Sequence, residues 1–180
     1  MRIVVSGTHA TGKSTLISDF ALTRPEFAVL PDPFDLVDAG PGSGSFVAQL
    51  RFSAERLLDP ALPPAVIAER GPLDFLAYLA AIDELGRAGS AAELVHREAA
   101  LAARAMAEVD LLVLLAPDAI AVPEDEDPEL REAMADALLD LAGDPDLTGT
   151  ARILELAGDP ATRLAALRSA VSGWSSGHAL

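Results

Sequence analysis

Four residues near the start of the sequence have the types and the spacing of a phosphate-binding loop. Gly7, Gly12, Lys13 and Ser14 lie in the stretch SGTHATGKSTL (6–16) and satisfy the pattern G-x-x-x-x-G-K-[ST] in full. Glycines let the backbone turn closely around a bound group, and successive backbone N–H groups can then surround phosphate oxygens. The spacing therefore predicts a nucleotide phosphate site between a strand and a helix.

Lys13 is the only lysine of the chain, whereas twelve residues are arginines. A compact ammonium on a flexible stem can reach between the β and γ phosphates, where the broad guanidinium of arginine fits poorly. We expect Ser14 to bind Mg²⁺ and Thr15 to bond the α-phosphate. The other phosphate contacts are expected from the backbone of His9, Ala10, Thr11 and Gly12.

Apolar runs alternate with helical patterns along the whole chain. Strands are predicted at 2–7, 27–33, 64–70, 110–117 and 151–158, and helices at 13–22, 45–59, 71–89, 90–108, 127–143 and 159–173. The Gly-rich stretch 34–45 is predicted to be a flexible loop. Five strands alternating with helices indicate an α/β fold, with a parallel sheet and helices on both faces.

Composition narrows the classes of function. The chain has 180 residues, a formal net charge of −15 and no cysteine. That length predicts one domain, and the acidity argues against a nucleic-acid partner because phosphate backbones bind basic surfaces. No apolar run is long enough to span a membrane. Since the glycine motif begins at Gly7, we expect no signal peptide and a cytoplasmic protein.

At this point the chain resembles the P-loop NTPases in their kinase branch. It is similar to small AAA-type ATP-binding proteins akin to the ribosylnicotinamide kinase domain, and to the deoxynucleoside and nucleotide kinases. The resemblance is carried by VSGTHATGKSTL (5–16), AERGPLDFLAYL (68–79) and ILELAGDPATRLAAL (153–167). It implies a single P-loop NTPase domain (1–173) with strand order 2-3-1-4-5, a lid at about 117–143 and a loose tail at 174–180.

The resemblance also implies roles for residues outside the loop. Glu69 would orient Mg²⁺ or its water, and Arg70 would touch the transferring phosphoryl group or the acceptor. The loop containing Asp159 and Pro160 would lie under the adenine. Asp32 either takes the proton of the acceptor's hydroxyl or is a turn-forming aspartate, and the sequence leaves both interpretations open.

The predicted lid departs from the family pattern. Arginines close over the phosphates in family lids, whereas here Arg131 is alone among acids that include Glu124, Asp125, Glu126 and Asp127. These acids either face solvent or weaken the lid. On the acceptor side, Arg51 and Arg56 are candidates, of which at most one is expected to point at the site.

Together these patterns predict an enzyme that uses ATP and Mg²⁺ to transfer the γ-phosphoryl group to a hydroxyl of a small molecule of nucleoside or nucleotide type. The alternative is an ATP-binding regulatory or interaction protein with little transfer activity. A Ras-type GTPase is excluded because its Asn-Lys-x-Asp motif needs a second lysine. The acceptor's identity and the oligomeric state are not determined, and a homodimer is compatible with the sequence.

Overall fold

The computed structural model describes residues 1–37, 42–87, 91–116 and 127–177, with side chains to 173. Its strands are β1 (Arg2–Ser6), β2 (Ala28–Leu30), β3 (Val66–Glu69), β4 (Leu111–Leu115) and β5 (Arg152–Leu156). Its helices are α1 (Lys13–Thr23), α2 (Ser43–Leu58), α3 (Pro72–Glu84), α4 (Ala91–Met106), α5 (Pro128–Ala142), α6 (Pro145–Thr148) and α7 (Pro160–Gly177). No helix among these residues has the length and apolar character needed to cross a membrane.

The five strands form one parallel sheet in the order β2-β3-β1-β4-β5, which confirms the predicted fold class and strand order. β1 is central, and Ile3, Val4 and Val5 are completely buried. Because side chains alternate along a strand, Val4 joins the core beneath α2 to α6, while Ile3 and Val5 join the core beneath α1 and α7. Both faces of the sheet are thus covered, as parallel sheets require.

Helix α3 is buried on nearly all sides, because it packs between α2, α4 and α5 over the sheet. A helix that is apolar around its whole circumference is typical of such a position. Polar side chains on α3 are therefore held in fixed surroundings. Asp74 and Tyr78 are two of them, and both are buried.

Four local features differ from the sequence-based prediction. β2 has only three residues, and Pro33–Asp35 forms a 3₁₀ turn where the predicted strand 27–33 meets the predicted loop 34–45. The short helix α6, which Asp144 caps, was not predicted. α7 continues to Gly177 rather than ending at Gly173, so the start of the predicted loose tail is helical. Ser90, the first residue of the helix predicted at 90–108, lies outside the described residues.

A substitution at Gly71 tests the close packing between β1 and α3. A Cβ at this position would lie 2.8 Å from Cγ1 of Val4, whereas one at Gly44 in α2 would meet nothing within 4 Å. We expect Gly71→Ala to lower the free energy of unfolding by about 1–3 kcal/mol through overpacking. Gly44→Ala should leave it unchanged or raise it by up to about 1 kcal/mol. Urea denaturation of both variants measures this, and equal effects would contradict the packing argument.

Candidate functional site

The loop between β1 and α1 turns through backbone conformations that favour glycine. Gly7 has φ 149° and Gly12 has φ 85°, and Ala10 also lies in the left-handed region with φ 54°. A Cβ at Gly7 would lie 3.1 Å from both the carbonyl oxygen of Leu115 and Oγ1 of Thr11. The loop borders a cavity of about 430 Å³, hereafter the loop cavity, which is lined by residues 9–15 together with Asp32, Asp35, Glu69 and Arg70. The positive end of the α1 dipole also meets this loop, an arrangement suited to anions.

Lys13 folds back over its own loop. Its Nζ donates a hydrogen bond to the carbonyl oxygen of Thr8 at 2.6 Å, and the residue is only 5% exposed. Burial, and secondarily the positive charge of Arg70, lowers the pKa of Lys13 to about 8. A poorly solvated cation at the edge of this cavity would gain from a bound polyphosphate.

Ser14 and Glu69 place two oxygens side by side in the loop cavity. Ser14 Oγ donates to Oε1 of Glu69 at 2.7 Å, and burial raises the pKa of the Glu69 carboxyl group. Within the described ranges no group of three or more acidic, His or Cys side chains could hold a metal ion. Mg²⁺ in nucleotide sites is commonly held by one or two protein oxygens together with phosphate oxygens and water, so the pair fits Mg²⁺ in such a role.

Arg70 lies at the junction of three strand ends. It follows β3 with a left-handed backbone of φ 58° and is 2% exposed. Its Nε donates to Oδ2 of Asp32 and its Nη1 to the carbonyl oxygen of Gly7, both at 2.9 Å. The guanidinium group lies 5.1 Å from the ring centre of Phe34 and 5.8 Å from that of Tyr78. Burial opposes its charge, but Tyr78 and nearby carboxylates hold the pKa of Arg70 above its usual value.

Asp32 combines a turn contact with a position at the loop cavity. Its Oδ1 accepts a hydrogen bond from the backbone N–H of Phe34 at 3.0 Å, which forms the turn after β2. Its Oδ2 accepts the bond from Arg70, and the carboxylate borders the loop cavity. A turn contact and a position at the cavity are therefore compatible in one side chain.

A second cavity of about 380 Å³ adjoins the first. His9, Asp32, Asp35 and Arg70 line both, and the second, hereafter the aromatic cavity, is completed by Phe34, Phe46, Tyr78, Asp127, Leu130 and Arg131. Phe46 and Tyr78 are stacked with ring centres 4.6 Å apart, and Phe34 meets both rings edge to face. One wall of this cavity is thus aromatic, while Asp32 and Arg70 form its boundary with the phosphate loop.

Arg131 reaches the phosphate loop from the first turn of α5. Its Nε donates to Oγ1 of Thr8 at 3.3 Å. Asp127 caps α5 by accepting from the N–H groups of Glu129 and Leu130, and it also pairs with Arg87. The predicted lid acids Glu124, Asp125 and Glu126 lie outside the described residues, as does most of the segment before α5.

Several predicted site residues have other contacts. Arg51 forms a bidentate ion pair with Glu98 of α4 at 2.7 and 3.0 Å and lines neither cavity. Arg56 lies nearer the site, since its Nη1 donates to the carbonyl oxygen of Pro31 at 2.8 Å. Asp159 caps α7 through two bonds from Thr162, which lower the pKa of the Asp159 carboxyl group. Pro160 is the first residue of that helix.

Two buried residues at the loop were not found from the sequence. Arg163 of α7 is 3% exposed, and its Nη1 donates to the carbonyl oxygen of Thr11 at 2.6 Å. Asp74 of α3 is fully buried and accepts from the backbone N–H of Gly7 at 3.0 Å. A charged residue inside the apolar helix PLDFLAYLAA was a usable signal for Asp74. No comparable signal marks Arg163 in the sequence.

The depressed pKa of Lys13 has a consequence for stability. Between about pH 8 and 10.5, the ordinary pKa of a lysine side chain, the unfolded chain binds the proton and the folded one does not, so the free energy of unfolding rises with pH over that window. Below pH 8 the buried charge opposes folding. We expect Lys13→Met to raise the free energy of unfolding at pH 7, without nucleotide, by about 1–3 kcal/mol, and this gain should vanish above pH 10.5.

Denaturant titrations at pH 7 and near pH 10.5 check this expectation. Arg168→Met is the matched control, because it removes a cation from the exposed surface of α7. The control should stay within about 0.5 kcal/mol of the wild type. A Lys13→Met variant no more stable than the wild type at pH 7 would show that burial of Lys13 is not costly.

Solved structures with the same fold come from several kinases. Thymidylate kinase from Candida albicans is 15% identical, with a TM-score of 0.64, and the match covers 97% of this chain and 92% of the other. Deoxyadenosine kinase from M. mycoides, solved with dCMP and dCDP, is 10% identical, with a TM-score of 0.74 and coverage of 96% and 100%. The NadR protein in complex with NR is 17% identical, with a TM-score of 0.66, and the chain covers 51% of its length.

No family model matches the sequence, and no curated protein matches it. The likeness is therefore one of structure at low sequence identity, and it extends over nearly the whole chain. With a parallel sheet of order 2-3-1-4-5 and a complete G-x-x-x-x-G-K-S loop, the chain has the fold of the P-loop nucleoside and nucleotide kinases.

Proposed function

We propose that the protein is a phosphotransferase that uses Mg²⁺ and ATP to phosphorylate a hydroxyl group of a small, unphosphorylated acceptor. The observation that carries this proposal is the junction of the two cavities at Asp32 and Arg70. A phosphate donor in one cavity and an acceptor in the other would meet beside a carboxylate and a guanidinium group. That is the arrangement needed for transfer of a phosphoryl group between two bound molecules.

On the donor side, the backbone of residues 9–14 would hold the phosphate oxygens and Lys13 would exchange its bond to Thr8 for one to the β and γ phosphates. Thr15 would bond the α-phosphate. Ser14 and Glu69 would hold Mg²⁺ directly or through water, and the ion would neutralise charge on the phosphates. Arg131 lies against Thr8 and would approach the γ-phosphate from the side of α5.

On the acceptor side, Asp32 would accept the hydroxyl proton as the new O–P bond forms and the bond from the γ-phosphorus to the ADP oxygen breaks. Its two hydrogen bonds, from Phe34 N–H and Arg70 Nε, fix the direction of the carboxylate. Arg70 would remain charged throughout because its pKa is raised. It would thus steady both Asp32 and the negative charge on the transferring group.

The charges around the aromatic cavity favour an acceptor without a phosphate group. Only Arg70 and Arg131 among its lining residues are permanently cationic, and both lie next to the phosphate loop. The sequence has no lysine or arginine at 38–41, 88–90, 117–126 or 178–180, so the undescribed segments add none. An acceptor phosphate would therefore compete for the cations that the donor needs, and would lie beside the Asp32 carboxylate.

The aromatic wall indicates what the rest of the acceptor is. Phe34, Phe46 and Tyr78 offer flat apolar surfaces to the cavity, and Phe34 is 41% exposed. Planar rings pack favourably on such surfaces. A nucleoside, which joins a flat ring to a hydroxyl-bearing sugar, meets both requirements, and the volume of about 380 Å³ is within the usual range for small-ligand sites.

A matched panel of acceptors tests the proposal. Nucleosides, their 5′-monophosphates and ring-free polyols are each incubated with ATP and Mg²⁺, and ADP release and product mass are measured. We expect at least one nucleoside-like compound to be phosphorylated, with kcat/KM about 100-fold or more above that of its monophosphate. Preference for the monophosphate would contradict the charge argument.

Asp32 separates transfer from nucleotide binding. Asp32→Asn should lower acceptor-dependent kcat by about 10²–10⁴-fold while ATP affinity stays near the wild-type value, because a positioned base acts on the transfer step. Asp59→Asn is the control, since Asp59 also precedes a proline and accepts a bond from the N–H two residues later. Unchanged kcat in Asp32→Asn would reduce Asp32 to a turn residue.

The second candidate is an ATP-binding regulatory or interaction protein. The acidic stretch EDED at 124–127, which replaces the arginines of a typical kinase lid, favours it. Such a protein would bind ATP through Lys13 and release no ADP with any acceptor of the panel. Loss of ATP binding in Lys13→Ala, together with a silent panel, would support this candidate over the kinase.

A further inference from the structure

A fully buried carboxylate lies beneath the phosphate loop. Asp74 is 0% exposed and carries a charged group in a helix whose neighbouring residues are apolar. Its oxygens accept hydrogen bonds from Ser6 Oγ at 2.5 Å, from Gly7 N–H at 3.0 Å and from Gly71 N–H at 2.9 Å. Burial of a carboxylate is costly unless its oxygens are bonded in this way, so all three donors contribute to its position.

Helix capping accounts for only part of this arrangement. As the third residue of α3, Asp74 accepts the N–H of Gly71 and completes a capping box. That contact uses one bond to Oδ2. The remaining two donors, Ser6 and Gly7, belong to the end of β1 and the first peptide of the phosphate loop. Asp74 therefore joins the start of α3 to the start of the loop.

The same carboxylate lies next to Arg70. Asp74 Oδ1, which accepts the N–H of Gly7, is 3.6 Å from Arg70 Nη1, and that Nη1 donates to the carbonyl oxygen of Gly7. Gly7 is thus held at its N–H by Asp74 and at its C=O by Arg70. Through Nε, Arg70 also holds Asp32. One chain of contacts runs from Asp74 through Gly7 and Arg70 to the proposed base.

We propose that Asp74 is a positioning residue that fixes the phosphate loop relative to the Arg70–Asp32 pair. The effect on transfer rests on the proposed function, whereas the effect on the loop and on Arg70 does not. Asp74 lines neither cavity, so it would act on them through Ser6 and Gly7 at the end of β1 and through Arg70. Since α3 is packed on nearly all sides, the carboxylate is a rigid reference point for both.

The effect of Asp74 on the phosphate loop and on Arg70 can be tested without any acceptor. In Asp74→Asn, an amide group replaces one accepting oxygen and the charge is lost. We expect hydrogen exchange of Gly7 N–H and Arg70 Nε–H, followed by NMR, to become about tenfold or more faster. Glu84→Gln removes a carboxylate from the exposed end of the same helix and should leave both rates unchanged. Unaltered exchange in Asp74→Asn would overturn the proposal.

The effect on transfer is tested by a double-mutant cycle. Asp74→Asn should lower acceptor-dependent kcat by about 10–100-fold, with a smaller change in KM for ATP, as expected for lost alignment. In an Asp32→Asn background the same change should cost less than about threefold, because the group that it positions is already gone. Equal losses in both backgrounds would show that Asp74 is merely structural and would overturn its role in transfer.

A milder variant covers the case in which Asp74→Asn does not fold. Ser6→Ala removes one donor but keeps the carboxylate and the α3 cap, and should speed Gly7 exchange and lower kcat by about threefold to tenfold. Wild-type exchange and kcat in a folded Ser6→Ala variant would contradict the proposal. If no acceptor is found, the proposed function fails, while the exchange measurements still decide whether Asp74 holds the loop and Arg70.

Discussion

The site depends on the burial of the Arg70 guanidinium group at the meeting point of three strands. A buried cation is unfavourable unless its N–H groups find acceptors, and the planar fork of arginine fixes where those acceptors must be. Here they are Asp32 after β2 and Gly7 after β1, while Arg70 itself follows β3. The left-handed backbone conformation of Arg70 has a cost in free energy, and these contacts offset that cost. The three strand ends are consequently locked together.

Other buried cations of this protein also find acceptors in the phosphate loop. The chain carries a net charge of −15, yet Lys13, Arg70 and Arg163 are all at most 5% exposed. Each of the three donates to a different carbonyl oxygen of the phosphate loop, at Thr8, Gly7 and Thr11. Three buried cations thus lie under one loop of an acidic protein. A polyphosphate at this loop would meet all three together, which favours binding there.

Much of the fold could be predicted from the sequence because local rules determined it. β1 and β4 are apolar runs of the length of buried strands, and Pro72, Pro128 and Pro160 mark helix starts. The loop pattern is contiguous and thus visible in one dimension. β2 was predicted too long because Pro31 and Pro33 fall where its pairing has already ended. The helix start at Asp144 was missed, although Asp144 is followed by a proline and caps a helix in the same way as Asp127.

The sequence by itself determined the alternation of strands and helices and the phosphate loop, since both depend on neighbouring residues. Only the tertiary structure decided which distant side chains surround that loop. Asp32 follows β2, Arg70 and Asp74 lie close together at the start of α3, and Arg163 belongs to α7. The contacts of Arg70, Asp74 and Arg163 with the loop, and that of Arg70 with Asp32, span 38 to 152 positions. Contacts between residues so far apart in the sequence leave no regular spacing pattern from which they could be predicted. They follow from the order of the strands in the sheet, which places the ends of β1, β2 and β3 side by side.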